Sequence, residues 1–286
     1  MPLPLTRKAP AKINPVLEVL GKRPDGYHEL SLLFQTIDLH DLLTFEPLAE
    51  GLRFECPGAP EGIGPDGSNL VLKAAEIFLG KYPQKKGVLI RLTKNIPVAA
   101  GLGGGSSDAA STLLGLDQMF ETGLGPEGLR EMAERLGSDV PFFLRGGTAL
   151  GTGRGEKITP LPSMPGIDLV LVKPEQGLPT PAVYGSGKAR FTGGECTRQF
   201  LELSREKGLS YLAGSLFNGL EPATFALLPE TWNIKRWLLE MGALGALVCG
   251  SGPTVFGIAR SPDHARSIAE RLRLPGRRVF VTRTIA

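Results

Sequence analysis

The amino-acid sequence predicts an α+β fold made of two domains that meet near residue 160. At about 150 residues per domain, a chain of 286 residues is expected to form two domains. In the second half, the pattern runs strand, helices, two strands, helix and strand, which indicates a split βαβ arrangement with an antiparallel sheet. A Gly- and Pro-rich stretch at 159–166 is a candidate join, so the predicted domains are 1–160 and 161–286.

Hydrophobic periodicity predicts the elements of the first half. Alternating apolar and polar residues predict strands at 12–20, 30–34, 41–46, 52–56 and 88–93. Apolar residues at helical spacing predict helices at 69–82, 106–120 and 126–136. Pro15 suits only an edge or a kink in the first strand, and Ser68 is the expected N-cap of the first helix. Residues 1–8 are expected to be disordered.

The second half is expected to hold the split βαβ unit. Strands are predicted at 167–173, 245–249, 254–259 and 278–285. Helices are predicted at 195–207, 217–227, 231–241 and 262–272. A glycine cluster at 146–155 is expected to form a hairpin with a structural role only.

Composition excludes several classes of protein. The formal net charge of +3 is far from the clustered basic excess of a nucleic-acid-binding protein. The three cysteines are widely separated, which supports neither a disulfide framework nor a zinc site. The sequence lacks both a secretory signal and an apolar run of about 18 residues that would cross a bilayer. We therefore expect a soluble, cytoplasmic protein with neither nucleic-acid nor membrane partners.

A glycine-rich stretch at 97–110 is the most informative part of the sequence. It leads from a predicted strand into a predicted helix and contains Gly101, Gly103, Gly104 and Gly105. Glycine permits positive φ and close approach of a ligand, while a helix N-terminus offers free N–H groups and a positive dipole end. Ser106 and Ser107 add hydroxyl groups there. Phosphate binding is favoured over a plain tight turn, since such a turn rarely needs four glycines and two serines.

Other phosphate-binding loops do not fit this stretch. A P-loop requires a lysine after the last glycine, and a dinucleotide-binding loop requires glycine in place of Ser106. The protein-kinase partner motifs are absent from the sequence as well. A second glycine cluster at 249–253 is by itself best explained by an ordinary hairpin turn, although Gly250 and Gly252 would also allow contact with a ligand or with the first glycine stretch.

Four polar residues are candidates for chemistry, although each also has an ordinary explanation. Lys12 is either an exposed strand lysine or a functional cation. Asp139 precedes an apolar patch, which suits a capping residue or a general base. Tyr27 and His28 lie in a turn, where they pack on the surface or bind a planar ligand.

Taken together, these stretches resemble the GHMP kinase family. Three family motifs occur in order at 10–14, 97–110 and 250–252. Three more segments, at 25–28, 137–143 and 179–181, resemble one branch of the family. Members of that branch phosphorylate the 2-hydroxyl of 4-diphosphocytidyl-2-C-methyl-D-erythritol in non-mevalonate isoprenoid precursor biosynthesis. The resemblance extends over about 9–285.

The resemblance implies a fold and a set of ligands. The implied fold is the two-domain GHMP kinase architecture, with a ribosomal-protein-S5-domain-2-like N-terminal domain and a ferredoxin-like split βαβ C-terminal domain. The implied activity is that of a small-molecule kinase that uses ATP, with Mg²⁺ carried on the nucleotide phosphates and not held in an all-protein cage. The implied partner is a small molecule with a cytidine diphosphate group, bound by a monomer or weak homodimer.

The resemblance also implies roles for individual residues. Asp139 would take the proton from the substrate hydroxyl, and Lys12 would lower the pKa of that hydroxyl and neutralise charge on the transferred phosphoryl group. Residues implied to bind ATP are Lys94, Pro97, Val98, Ala99, Ala100, Gly101, Leu102, Gly103, Gly104, Gly105, Ser106 and Ser107. Residues implied to bind the substrate are Asn14, Tyr27, His28, Phe34, Thr180 and Tyr184.

Three departures and two alternatives accompany the resemblance. Residues 1–8 extend past the start that is usual in the family. Pro15 replaces a leucine that is usual in the family, and Cys249 replaces a usual serine. One alternative is a GHMP kinase that acts on homoserine or mevalonate, against which Tyr27, His28 and Tyr184 argue because those substrates carry no base. The other is a non-catalytic nucleotide-binding or scaffold protein, which the presence of both Lys12 and Asp139 disfavours.

Overall fold

The computed structural model describes residues 3–58, 64, 69–82, 87–203 and 208–286. The chain divides into two compact units that interleave along the sequence. The first unit consists of Met1–Ala11, Leu39–Val98 and Gly103–Gly146. The second consists of Lys12–Asp38, Ala99–Leu102 and Gly147–Ala286. The single domain boundary near residue 160 stays a prediction.

The strands of the first unit pair in mixed directions. The strands that contribute are β1 (Leu5–Ile13), the long strand β3 (His28–Leu48), β4 (Leu52–Glu55) and β5 (Gly87–Thr93). The pairing of β4 with β5 is parallel, whereas β5 runs antiparallel to the second half of β3, with Leu42 opposite Thr93. Because β3 is long, its first half belongs to the second unit and its second half to the first.

Four helices accompany these strands in the first unit. They are α1 (Leu70–Lys81), α2 (Gly104–Met119), α3 (Gly125–Leu136) and α4 (Val140–Phe143), and they pack on one another. Most of α2 is buried, and its small residues allow close packing: a Cβ on Gly115 would lie 2.5 Å from the ring of Phe45. The N-cap of α1 is Asn69, whose side chain accepts from Val71 N–H. Ser68, predicted for that position, lies outside the described residues.

The second unit contains two sets of strands. The first set joins the front half of β3 to β2 (Val16–Lys22), β6 (Thr148–Gly153), β7 (Lys157–Leu161) and β9 (Phe217–Asn218). The second set is an antiparallel sheet in the order β10 (Ala246–Val248), β11 (Val255–Ile258), β8 (Asp168–Pro174) and β12 (Arg277–Arg283). The predicted antiparallel sheet is therefore confirmed.

The helices of the second unit complete its core. They are α5 (Thr180–Gly185), α6 (Glu195–Leu203), α7 (Gly208–Gly214), α8 (Glu221–Leu227), α9 (Glu230–Glu240) and α10 (Pro262–Leu272). Apolar residues of α9 and α10, such as Leu238 and Ile268, form a buried cluster with Val170 and Val172 of β8. Burial of such aliphatic faces is the main source of the stability of this sheet. In the described ranges, no helix has the length and apolar character needed to cross a membrane.

Several predicted elements were wrong in detail. The single strand predicted at 12–20 is two strands, because Pro15 lacks the N–H that a continuous ladder requires. Strands predicted at 30–34 and 41–46 are both parts of β3. The helix predicted at 217–227 begins as β9, since the N–H of Phe217 donates to Pro15 O and that of Gly219 to Leu17 O. Residues 5–8, expected to be disordered, lie in β1.

Candidate active site

Lys12, Asn14 and Phe34 form a buried group in the second unit. Lys12 Nζ donates to Asn14 Oδ1 at 2.7 Å and lies 5.7 Å from the centre of the Phe34 ring. Asn14 is fully buried, and its amide Nδ2 donates to the carbonyl oxygen of Leu33 at 2.9 Å. These contacts orient the lysine side chain at the end of β1. The structure thus brings together three of the residues that the sequence assigned to catalysis and substrate binding.

The middle of the glycine-rich stretch packs against the second glycine cluster. The backbone N–H of Lys12 donates to Leu102 O at 3.0 Å, which connects this segment to the strand that carries the lysine. Gly101 has a φ of +75°, and a Cβ there would lie 2.1 Å from the carbonyl oxygen of Cys249 and 2.9 Å from that of Gly252. Only glycine fits such a position. The second cluster is therefore more than a hairpin turn, because it presses on the first glycine stretch.

Cys249 and Gly250 lie close to the same lysine. A Cβ on Gly250 would lie 3.1 Å from Lys12 Nζ, so the missing side chain leaves space beside the ammonium group. Cys249 is fully buried, and burial raises the pKa of its thiol to about 12, although the nearby charge of Lys12 acts in the opposite direction. At neutral pH this cysteine is a protonated thiol and replaces the usual serine with a largely apolar group.

The start of α2 has the features of an anion-binding helix N-terminus. Gly103 occupies the N-cap with a φ of +71°, and no side chain caps the first turn. The N–H groups of that turn are therefore available to a ligand. Ser107 is fully buried, and among the described residues its hydroxyl has no hydrogen-bond partner. An uncapped 16-residue helix with an unpartnered hydroxyl fits a phosphate group.

The remaining residues of the glycine-rich stretch differ in exposure. Pro97, Ala100 and Leu102 are buried, whereas Val98, Ala99 and Gly105 are exposed and Gly104 and Ser106 are half-buried. Ala99 adopts a φ of +50°, which is unusual for a residue with a side chain. Such backbone strain is frequent at ligand-binding loops. The assignment of these residues to ATP stays a prediction.

Lys94, expected to approach the nucleotide, lies between two buried carboxylates of the first unit. Its Nζ donates to Asp41 Oδ2 and, at 2.8 Å, to Asp108 Oδ2. Burial lowers the pKa of Lys94, but the charges of Asp108 and Asp41 outweigh burial and raise it. Burial raises the pKa of Asp108 to about 7, against the opposing effect of Lys94. We call these three residues the Asp41–Lys94–Asp108 cluster.

Asp139 occupies the N-cap position of α4 in the first unit. It is half-buried, and the neighbouring rings of Phe142 and Phe143 lie 5.0 Å apart. Its side chain makes no capping hydrogen bond to α4, so the capping explanation of this residue does not apply. Lys12 belongs to the second unit, and the pairing of the two residues in catalysis stays a prediction.

An aromatic group in the second unit contains the residues predicted to hold a base. The His28 ring lies 5.2 Å from the Tyr184 ring and 6.2 Å from the Phe191 ring, tilted by 34° and 32°. Tyr27 is 55% exposed, with the Arg154 guanidinium 4.7 Å from its ring centre. Burial, and then the charge of Lys22, lower the pKa of His28, so its imidazole is neutral at pH 7. A neutral imidazole offers one donor and one acceptor.

Three residues that contact predicted site residues were not themselves predicted as site residues: Phe191, Arg154 and Ser251. Phe191 is 54% exposed although its backbone is fixed by a bridge to Val19 of β2. Phe191 belongs to no recognisable sequence pattern, whereas Arg154 lies in the glycine cluster at 146–155. Ser251 lies in the second glycine cluster, and its hydroxyl is 2.9 Å from Thr180 Oγ1 at the start of α5. Ser251 and Arg154 share a signal in the sequence, because each stands between two glycines.

Each unit carries polar groups of its own. The first unit carries an uncapped helix N-terminus and the Asp139 carboxylate, and the second carries a buried lysine and a group of aromatic side chains. Anion-binding N–H groups, a carboxylate and a cation are each groups that phosphoryl transfer uses. Within the described ranges, no group of three or more His, Cys, Asp or Glu side chains is placed to hold a metal ion.

Comparison with known proteins finds relatives along nearly the whole chain. Residues 69–147 match the family model of the GHMP kinases N terminal domain, and residues 198–278 match that of the GHMP kinases C terminal domain. A protein of Pelotomaculum thermopropionicum called 4-diphosphocytidyl-2-C-methyl-D-erythritol kinase is 48% identical over 282 residues, which cover 98% of each chain.

Solved structures agree with this likeness. A crystal structure of 4-(cytidine 5'-diphospho)-2C-methyl-D-erythritol kinase is similar at a TM-score of 0.82 and 38% identity, and the match covers 99% of this chain and 100% of that one. A homoserine kinase from Cytophaga hutchinsonii is similar at a TM-score of 0.77 and 20% identity, over 98% of this chain and 94% of that one. The latter likeness concerns the fold alone.

Proposed function

The chain belongs to the GHMP kinase family, and from this premise we propose that it phosphorylates the 2-hydroxyl of 4-diphosphocytidyl-2-C-methyl-D-erythritol with ATP. The observation that carries the proposal is the full-length similarity to kinases named for this substrate. The place of the reaction is the non-mevalonate synthesis of isoprenoid precursors. The aromatic group around His28 supports the substrate, because a cytosine ring is planar and is bound by stacking and by hydrogen bonds.

Two residues are proposed to carry the chemical step. The Asp139 carboxylate accepts the proton of the substrate 2-hydroxyl while the hydroxyl oxygen forms a bond to the γ-phosphorus of ATP. ADP leaves with the electron pair of the broken P–O bond. The Lys12 ammonium group stabilises the negative charge that develops on the transferred phosphoryl group. Support for this role of Lys12 comes from its burial and its orientation by Asn14.

The glycine-rich stretch is proposed to hold the phosphates of ATP. Its support is the uncapped N-terminus of α2, where backbone N–H groups and the helix dipole favour a negative group. The Ser107 hydroxyl, which has no hydrogen-bond partner within the described part of the chain, and the Ser106 hydroxyl fit a phosphate oxygen or the Mg²⁺ that accompanies ATP. When bound, that cation supplies neutralisation of the phosphate charge.

Substrate recognition is proposed to depend on neutral and aromatic groups. His28 in its neutral form is suited to hydrogen bonds with the edge of cytosine, while Tyr27 and Tyr184 provide stacking surfaces. The proposed set of substrate-binding residues is completed by Asn14, Phe34 and Thr180, which also belong to the second unit. Cytoplasmic localisation and a monomeric or weakly dimeric state stay predictions from the sequence.

The test is ADP release with Mg·ATP and three candidate substrates. We expect turnover with 4-diphosphocytidyl-2-C-methyl-D-erythritol and none with homoserine or mevalonate, together with competition by CMP. Turnover with homoserine or mevalonate instead would reject the proposed substrate, but the proposed kinase activity would stand. ATP binding without turnover of any of the three would favour the non-catalytic alternative.

A matched pair of variants tests the general base. Asp139→Asn is expected to abolish turnover while the dissociation constant of ATP stays within about twofold, because the amide cannot accept the proton. Asp263→Asn is the control, since Asp263 lies in the first turn of α10 with a side chain that is 89% exposed. Substantial turnover by folded Asp139→Asn would show that another group removes the proton.

A further inference from the structure

Asp41 accepts hydrogen bonds from backbone N–H groups at the point where the pairing of β3 with β5 ends. The antiparallel pairing of β3 with β5 ends with Leu42 opposite Thr93, so Asp41 is the next residue beyond the ladder. Its Oδ1 accepts the N–H of Asn95 at 2.6 Å and that of Ile96 at 2.8 Å. The side chain of Asn95 also donates to His40 O at 2.9 Å. The backbone that leads into the glycine-rich stretch is therefore held by Asp41.

The same carboxylate holds a side chain that lies beneath the start of α2. Asp41 Oδ2 accepts from Lys94 Nζ, and a Cβ on Gly104 would lie 3.1 Å from that ammonium nitrogen and 2.9 Å from Cγ2 of Ile96. The first residue of α2 thus rests on the side chains of Lys94 and Ile96. Since Asp41 holds both of these residues, the position of the helix N-terminus depends on Asp41.

The energetics of the cluster indicate a role other than stability. Asp41, Lys94 and Asp108 have side chains that are 0%, 5% and 4% exposed, so all three ionisable groups are removed from water. Buried ion pairs rarely stabilise a fold more than apolar residues of similar size do. Such an arrangement is explained by the precise placement that it imposes on the backbone above it.

We propose that Asp41 is a positioning residue for nucleotide binding. Through Lys94 and the backbone of Asn95 and Ile96, it keeps the entry to the glycine-rich stretch and the first turn of α2 in the geometry that receives the phosphates of ATP. The inference rests on the proposed function, because that proposal assigns ATP to this stretch. Asp41 acts on the nucleotide through these groups and takes no part in proton or phosphoryl transfer.

Asp41→Asn is the decisive variant. The amide oxygen still accepts from the two backbone N–H groups, but the charge that holds Lys94 is lost. In the full chain, the dissociation constant of Mg·ATP measured by calorimetric titration is expected to rise about tenfold, because small displacements of a binding geometry are costly. The KM for ATP is expected to rise in parallel, while kcat and the KM for the cytidine substrate stay within about twofold.

Asp117→Asn is the matched control. Asp117 lies near the C-terminal end of α2 and, like Asp41, holds backbone N–H groups of a loop. Its Oδ1 accepts the N–H of Leu124 at 2.9 Å, and its Oδ2 accepts the N–H of Gly125 at 3.0 Å. We expect wild-type affinity for ATP in this variant. Equal weakening of ATP binding in Asp41→Asn and Asp117→Asn would mean that any loss of a loop anchor has this effect, and the proposal would be rejected.

Lys94→Met removes the other partner of the Asp41–Lys94 ion pair and is the test to use if Asp41→Asn does not fold. It is expected to raise the dissociation constant of ATP by a similar factor. A folded chain of either variant with wild-type affinity for ATP overturns the proposal. Failure of the wild-type chain to bind ATP is a different result, since it overturns the proposed function and the inference together.

Discussion

Two buried lysines are held by different kinds of partner. In the first unit, Lys94 lies between the carboxylates of Asp41 and Asp108. In the second unit, Lys12 donates to the carboxamide of Asn14 and lies over the ring of Phe34. The carboxylates of Asp41 and Asp108 place opposite charge beside Lys94, and the Asn14 carboxamide and the Phe34 ring orient the Lys12 ammonium group. Burial of a lysine therefore says little about its role until its partners are known.

The largest expected effect is on catalysis at Lys12. Lys12→Met is expected to lower kcat by about 10³-fold, because a charge that stabilises the transition state is lost. Methionine fills the same space but leaves the buried Asn14 Oδ1 without this donor, so a loss of about 1 kcal/mol in the free energy of unfolding is expected. The control is Lys8→Met, an exposed position on the same strand. A kcat within tenfold of wild type would remove Lys12 from the chemical step and weaken the contrast between the lysines.

At Lys94 the larger effect is expected on the free energy of unfolding. Lys94→Met is expected to lower the free energy of unfolding by about 3 kcal/mol in urea titrations, because two buried carboxylates lose their cation. Lys235→Met is the control: Lys235 pairs with Glu221, but both side chains remain partly exposed, at 19% and 14%, and a loss of about 1 kcal/mol is expected. Equal losses in the two variants would contradict the special position of the cluster.

The pH dependence of stability provides a third test. Burial raises the pKa of Asp108 to about 7, so the folded chain binds this proton more tightly than the unfolded chain does. The resulting contribution to stability is complete below the unfolded pKa of 3.8 and is lost as pH rises through about 7. Asn resembles the protonated acid, and Asp108→Asn should therefore gain about 2 kcal/mol relative to wild type between pH 5 and pH 8.

The control for this measurement is Asp117, whose pKa is lowered. The charged and titratable groups around Asp108 are Lys94, Asp41 and Cys56. At Asp117, burial raises the pKa, but hydrogen bonds from Thr122 and from two backbone N–H groups outweigh it and lower the pKa. Asp117→Asn should therefore show no relative gain between pH 5 and pH 8. A difference between Asp108→Asn and wild type that does not change with pH would contradict the raised pKa.

The smallest expected effect concerns the aromatic group of the second unit. Phe191→Leu is expected to raise the KM for the cytidine substrate about fivefold, because a ring beside His28 is lost, and to leave the KM for ATP unchanged. Trp232→Leu is the control, since this residue of α9 is also exposed, at 51%. An unchanged substrate KM in Phe191→Leu would restrict the base-binding group to His28, Tyr27 and Tyr184.

Local patterns in the sequence predicted much of the fold. The helices α1, α2, α3 and α10 lie within about two residues of their predicted bounds, because periodicity and caps are properties of neighbouring residues. The break after Ile13 and the short strand β9 escaped prediction. The break follows from Pro15, which lacks a backbone N–H, whereas β9 depends on pairing with β2, about 200 positions away along the chain, and such pairing leaves no local pattern.

The candidate site shows the same division. The sequence by itself determined the glycine-rich stretch, since positive φ, the absence of a Cβ and the following helix N-terminus are local properties of the chain. It also determined that Lys12 and Lys94 are candidates. Only the tertiary structure places a carboxylate 53 residues away along the chain beside Lys94, because the pairing of β3 with β5 brings Asp41 to it. Charge and desolvation depend on distances in space, and long-range packing sets those distances.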